Sequence, residues 1–225
     1  MNRARANSAP RGVPPTPAAQ QVHLIGIAGG SGAGKSWLAA RLQRALGRQA
    51  VRLSLDDFYR DLRHLSPRQR VRVNFDHPRA IDWPLFNRTL ADLQAARPVA
   101  LPAYDFTTHT RTDRTRQLRP ARFVLVEGLW LWRLAALRRR FSCRIFVDCP
   151  APLRRARRLA RDLRERGRTR ASIFRQFNQQ VSPMHKRFVA PQARHAHLCL
   201  TSPVSTGEVR ALCRRLRELA CGACG

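Results

Sequence analysis

The sequence predicts an α/β protein with a mostly parallel central sheet of about five strands and helices on both faces. Three observations carry that expectation. Short apolar runs alternate along the chain with stretches whose apolar residues recur at helical spacing. The first apolar run passes through glycines straight into a helix. Three runs end on groups suited to anions or metal ions: a glycine loop, Asp56-Asp57 and Glu127-Gly128. Parallel sheets bind ligands beyond the carboxyl ends of their strands, so these groups are expected at one edge.

The elements follow in chain order. Residues 1–20 carry Arg and Pro but no apolar core, and read as a disordered tail rather than a secretory signal. The run VHLIGIA, 22–28, is a buried strand. A helix follows from Lys35 to Gly47, with Trp37, Leu38, Leu42 and Leu46 at helical spacing. AVRLSL, 50–55, is the second strand, and 61–80 is polar and irregular. Asp82 is placed as the N-cap of a helix reaching about Ala96, with Pro84 in its first turn. Residues 98–120 are loop-like with room for a hairpin. FVLVEG, 123–128, and RIFVDC, 144–149, are the third and fourth strands. Pro152 to Arg166 is a very basic helix and the core of a lid region spanning about 152–170. Ala171 to Arg194 reads as one or two helices, with Pro183 marking the break. AHLCLT, 196–201, is the fifth strand, and Thr206 to Leu219 a terminal amphipathic helix. The domain is expected over 21–220, with a flexible end at 221–225.

Composition bounds the partners. Lys+Arg is 43 against 14 Asp+Glu, a formal net charge of +29, yet Lys35 and Lys186 are the only lysines. Arg, Ala and Pro share GC-rich codons, so base composition accounts for the arginine excess. The charge attracts nucleic acid only non-specifically. No run is long enough for a membrane helix. Of the six cysteines, 143, 149 and 199 lie in strand-like runs and read as buried hydrophobes, while Cys221 and Cys224 form a CxxC without further metal ligands nearby. A reduced, cytoplasmic setting is expected.

Gly29-Gly30-Ser31-Gly32-Ala33-Gly34-Lys35-Ser36 fits G-x-x-x-x-G-K-[ST] in full, with a strand before and a helix after. Glycines let backbone N–H groups curl around phosphate oxygens, and the helix N-terminus faces the anion. Lys35 is expected on the β- and γ-phosphates and the Ser36 hydroxyl on Mg²⁺. The pattern predicts a P-loop NTPase fold that uses ATP or, alternatively, GTP. It does not separate a kinase from an ATPase.

A hydroxyl acceptor needs a carboxylate to orient it and take its proton. Asp56 stands just past the second strand, and Asp57 competes with it for that role. Glu127, after the third strand, stands where an acid holds Mg²⁺ directly or through water. Asp76 is suited to accept two vicinal hydroxyl donors.

The separated motifs GIAGGSGAGKS, LSLDDFYRD, NFDHPRAID, LPAYDFTTHTR, VLVEGLW, IFVDCPAPLRRARRLARDLRERGR and VSPMHKRFVAPQARHAHL occur in that order. Over roughly residues 22–200 the chain resembles the uridine kinase (uridine–cytidine kinase) family of the phosphoribulokinase/uridine kinase group. The resemblance implies ATP- and Mg²⁺-dependent phosphorylation of the 5′-hydroxyl of uridine or cytidine, in pyrimidine salvage. It assigns Asp56 as catalytic base, with Asp56 also near the metal beside Ser36 and Glu127. Tyr59 and Phe75 become walls of a nucleoside pocket, Asp76 the ribose carboxylate, and Tyr104 and His109 the base-reading pair. Arg158 resembles a ribose contact, Arg161 and Arg166 clamps on the ATP phosphates, and Arg168 and Gln176 further nucleoside contacts. The remaining arginines of that run, among them Arg154, read as a solvated charged face. Relatives are often homotetramers. Leu55 stands where relatives commonly carry a polar residue, and Asp57 adds a second charge beside Asp56. The alternatives are a kinase of the same group for a sugar phosphate or pantothenate, and a nucleic-acid-binding ATPase.

Overall fold

The computed structural model describes residues 21–165 and 167–222. The expectations placed on the tail 1–20, on Arg166 and on 223–225 lie outside these residues.

Five strands form one parallel sheet in the order β2-β5-β1-β6-β7: β1 His23–Gly29, β2 Ala50–Ser54, β5 Phe123–Gly128, β6 Cys143–Asp148 and β7 Leu198–Thr201. Between β2 and β5 in sequence, β3 Val99–Asp105 and β4 Thr110–Leu118 make a separate antiparallel hairpin. β1 is central, paired with β5 from His23–Phe123 and with β6 as far as Gly29–Val147. Its successive residues therefore face opposite layers. Leu24 and Ala28 join Val124, Val126 and Phe146 in one core, whereas Ile25 and Ile27 join Leu125, Ile145 and Val147 in the other. All are buried, which is why these strands read as unbroken apolar runs instead of alternating ones.

The second core is closed by α1 Lys35–Leu46, through Leu38, Leu42 and Leu46, and by α8 Thr206–Gly222, through Val209, Leu212 and Leu216. The first is closed by α3 Trp83–Gln94, through Phe86, Leu90 and Leu93. Asp82 caps α3 as expected, its side chain accepting from the Leu85 N–H at 3.1 Å.

Several elements depart from expectation. The polar stretch 61–80 contains α2 Pro67–Val71, started by a reciprocal Ser66–Gln69 capping box. A single turn, α4 Ala135–Arg138, precedes β6. Pro183 does not break its helix. α6 Arg170–Gln176 continues through π-helical turns Phe177–Val181 and His185–Val189 on either side of α7 Ser182–Met184. The wider register there accommodates the residue that has no N–H to give. Cys199 is exposed on edge strand β7, unlike buried Cys143 and Cys149. α8 runs on through Cys221 and Gly222, two residues expected to be flexible.

Candidate active site

The basic helix α5, Ala151–Glu165, packs its N-terminal half against the phosphate loop. At Gly32, with φ 81°, a Cβ would stand 2.5 Å from the Arg154 carbonyl oxygen, so only glycine lets loop and helix meet there. Gly34, at φ 98°, turns the loop into α1. Lys35 is buried and its Nζ donates to the Gly30 carbonyl at 3.1 Å.

Behind Lys35 the ends of β1, β2 and β5 meet as the sequence placed them. The Ser36 hydroxyl donates to Glu127 Oε1 at 2.8 Å, and Ser54 Oγ reaches the same oxygen at 3.2 Å. Burial pushes the Glu127 carboxyl up, with Lys35 opposing and Asp56 reinforcing, and burial pushes the Lys35 ammonium down. Among the described residues no cluster of His, Cys, Asp and Glu forms a metal cage. The donor set is instead all hard oxygen: one hydroxyl and two carboxylates. That fits Mg²⁺, which takes one or two carboxylates and completes its shell with phosphate and water. Ser36, Glu127 and Asp56 are the residues that would hold it.

Asp56 and Asp57 are separated by the 3-10 turn Leu55–Phe58. Asp56 faces the cleft, and its N–H donates to Ser54 Oγ at 3.2 Å. Asp57 points elsewhere and pairs with Arg116 at 3.5 Å. Its carboxyl is pushed up to about 6, chiefly by burial, with Arg116 opposing.

Opposite the phosphate loop, three elements assemble an aromatic pocket. Tyr59 lies 5.3 Å from the Tyr104 ring and 5.7 Å from Phe75, and its hydroxyl donates to the Phe75 carbonyl at 3.2 Å. His109, at the hairpin turn with φ 57°, stacks on Phe75 at 4.3 Å. The buried Tyr104 hydroxyl has no hydrogen-bond partner among the described residues, and burial raises its pKa, so it remains a donor. Arg111 fastens hairpin to pocket, donating from Nε to the Tyr59 carbonyl at 3.0 Å and pairing with Asp82 at 3.2 Å.

α5 and α6 close the remaining side. Arg158 is buried, and its NH1 donates to Ser31 Oγ at 3.0 Å and approaches Asp76 at 3.5 Å. Its NH2 donates to Gln176 Oε1 at 2.9 Å, which Arg168 also reaches. Asp162, fully buried, gathers Arg158 at 3.4 Å, Arg161 at 2.8 Å and Arg168 at 3.9 Å.

One cleft therefore holds Ser31, Gly32, Gly34, Lys35, Ser36, Asp56, Tyr59, Phe75, Asp76, Tyr104, His109, Glu127, Arg158, Arg161, Arg168 and Gln176. Gly29, Gly30 and Ala33, also expected on the phosphates, do not line the cleft. Sequence reasoning missed Phe106, whose signal was its place inside YDFTTHTR, and Leu129 and Arg157, which also line it. It missed Asp162, the lone acid among the arginines up to Leu163 of that helix. It misjudged Arg154. That side chain is 4% exposed, donates from Nε to the Cys149 carbonyl at 3.0 Å, and lies 5.9 Å from the Phe177 ring. The inward face of α5 is charged because it looks onto an anion-binding loop, not onto a core.

The sequence is 39% identical over 181 residues to a uridine kinase of Staphylococcus epidermidis, covering 80% of this chain and 87% of that one. It is 43% identical over 174 residues to a uridine kinase of Chloroflexus aggregans, covering 77% and 83%. The phosphoribulokinase of Rhodobacter spheroides shares the fold at TM-score 0.61 and 15% identity, over 81% of this chain and 71% of that one. Residues 24–207 match the phosphoribulokinase/uridine kinase family, and to that family the chain belongs.

Proposed function

We propose that the chain transfers the γ-phosphoryl group of ATP to the 5′-hydroxyl of uridine or cytidine. The observation that carries the reading is a single cleft in which an aromatic pocket, with a buried carboxylate and a tyrosine hydroxyl that has no partner among the described residues, opens toward the phosphate loop and Asp56. Kinship with uridine kinases at 39% and 43% identity supports the choice of acceptor.

Asp76 accepts the ribose hydroxyls, with the Arg158 guanidinium beside it at 3.5 Å. Tyr104 and His109 read the edge of the base, and Phe75 and Tyr59 limit its size. Arg168 and Gln176 complete the nucleoside side. Asp56 accepts the proton of the 5′-hydroxyl as its oxygen bonds to the γ-phosphorus and the bond to the β,γ-bridging oxygen breaks, releasing ADP. Lys35, Arg161 and Arg166 stabilise charge on the transferring group, and their cationic forms are what the step needs. Mg²⁺, when bound, neutralises the phosphates and aligns the donor.

The test is ADP formation from ATP and Mg²⁺ with uridine, cytidine, adenosine, thymidine, ribulose 5-phosphate, pantothenate and RNA in turn. Uridine and cytidine alone are expected to stimulate turnover, and Asp56→Asn to lower it by about 10²–10⁴-fold. Stimulation by another acceptor, with none by pyrimidine nucleosides, refutes the proposal.

A further inference from the structure

α1 keeps its apolar side chains on one face, and Trp37 is not on it. Leu38, Leu42 and Leu46 are buried in the second core, whereas Trp37 is 44% exposed. The expectation that all four share a buried face fails at Trp37 alone. Of the four tryptophans it is the exposed one: Trp130 and Trp132 are fully buried and Trp83 is half-buried. An indole left in water forgoes the stabilisation that burial would give. Helix propensity does not ask for it either, since Ala, Leu and Arg all favour a helix more.

Its place is informative. Trp37 follows Lys35 and Ser36 in the first turn of α1 and lines the cleft together with Gly34, Arg157 and Arg161. It stands apart from the rings of the acceptor pocket. Tyr59, Phe75, Tyr104, Phe106 and His109 contact one another and come from other segments. The cleft therefore has a second aromatic group that the pocket does not use. The Arg41 guanidinium, one turn further along α1, lies 5.3 Å from the Trp37 ring centroid and steadies it. Arg157 is steadied too: its NH1 donates to Ser202 Oγ at 2.7 Å and to the Gly32 carbonyl at 3.4 Å. A Cβ on Gly34 would lie 3.7 Å from that nitrogen, so Arg157 flanks the loop where α1 begins.

The proposed reaction brings two nucleosides into this cleft, one on the acceptor and one on the donor. In-line transfer sets the γ-phosphorus between the attacking hydroxyl and the β,γ-bridging oxygen. With the acceptor at Asp56, the donor nucleoside must leave the loop at the end away from it. The loop backbone, Lys35 and the arginines hold phosphates only. A flat, open ring at the start of α1 offers the donor base what they lack.

We propose that Trp37 is the stacking platform for the purine base of the phosphate donor. The two ends of the cleft then select differently. A two-ring base gains most from an open indole, while the walled acceptor pocket admits one ring, and this difference keeps each nucleoside at its own end. The platform rests on the reading of the loop as a purine triphosphate site, not on the identity of the acceptor.

Equilibrium dialysis with Mg²⁺ and no acceptor would compare ATP, GTP and inorganic tripolyphosphate on the intact chain, Trp37→Thr and Trp37→Phe. Trp37→Thr is expected to bind ATP and GTP about tenfold more weakly and tripolyphosphate as the intact chain does. Trp37→Phe, which restores a ring, is expected to recover most of the loss. In turnover the loss in Trp37→Thr is expected in the KM for ATP and not in the KM for uridine. ATP, but not tripolyphosphate, is expected to quench the tryptophan emission of the intact chain, and Trp37→Phe to remove that signal. Equal ATP affinity in the intact chain and Trp37→Thr overturns the proposal. So does equal weakening of ATP and tripolyphosphate, which makes Trp37 a support of the phosphate loop. Self-association lost in Trp37→Thr with ATP affinity kept overturns it as well, and makes Trp37 an interface residue. If ATP weakens as expected in Trp37→Thr while neither uridine nor cytidine is turned over, the reaction assignment fails and the platform stands.

Discussion

Arg154 is an unusual cation: buried, with NH1 lacking a hydrogen-bond partner among the described residues, and aimed at Gly30 of the phosphate loop. A buried charge without an anion is costly, and a bound triphosphate would supply that anion. Arg154→Met keeps the bulk and removes the charge. Its thermal midpoint without nucleotide is expected to change little, relief of the unpaired buried charge offsetting the lost donor to the Cys149 carbonyl, while ATP binds about tenfold more weakly, or ~1.4 kcal/mol. Calorimetry with and without ATP checks both, and equal losses in the two states defeat the idea. Asp57 gives a pH signature. Its folded carboxyl titrates at about 6 against an ordinary 3.8, so the folded chain holds that proton more tightly than the unfolded one. Stability therefore falls as pH rises from about 4 to about 6 and levels off above. Asp57→Asn is expected to remove that part of the decline in a series of melting curves, with Asp56 chemistry retained. Neither residue's environment was legible in the sequence. Adjacent aspartates look alike there, and a run of arginines does not announce which ones face inward.

At the scale of elements, the loop after β5 is held by one side chain. Gln192 is 2% exposed, donates to the Leu129 carbonyl at 2.6 Å, and accepts the Trp132 N–H at 3.1 Å. Its own carbonyl accepts from the Trp132 indole at 2.8 Å. Gln192→Ala strands two buried polar groups and frees the segment that leads out of Glu127. A loss of about 2–4 kcal/mol is expected in urea unfolding, with kcat falling alongside. A variant within about 0.5 kcal/mol of the parent would show that the latch carries little. This contact joins residues some sixty positions apart and leaves no motif. The strands were legible because burial on both faces makes them continuous apolar runs, and α3 because Asp82 and Pro84 mark its start. The course through Pro183 was not, because a π-turn has no compositional signature.

At the scale of the molecule, the sheet and the converging strand ends followed from the order of apolar runs and what stood after each. The aromatic pocket did not. Tyr59, Phe75 and Tyr104 come from three connecting segments whose approach is set by tertiary contacts such as Arg111 to Tyr59 and Asp82, and only the resemblance to a family named them. Among the described residues no helix is long and apolar enough to cross a membrane. The central position of β1 has a consequence for synthesis. It leaves the ribosome first among the strands, yet both its neighbours are encoded about a hundred residues later, Phe123 beside His23 and Val147 beside Gly29. Loop closure over such distances slows assembly. The nascent chain thus carries its phosphate loop unsupported until β6 emerges, and the first part of the site to be translated is among the last to take shape.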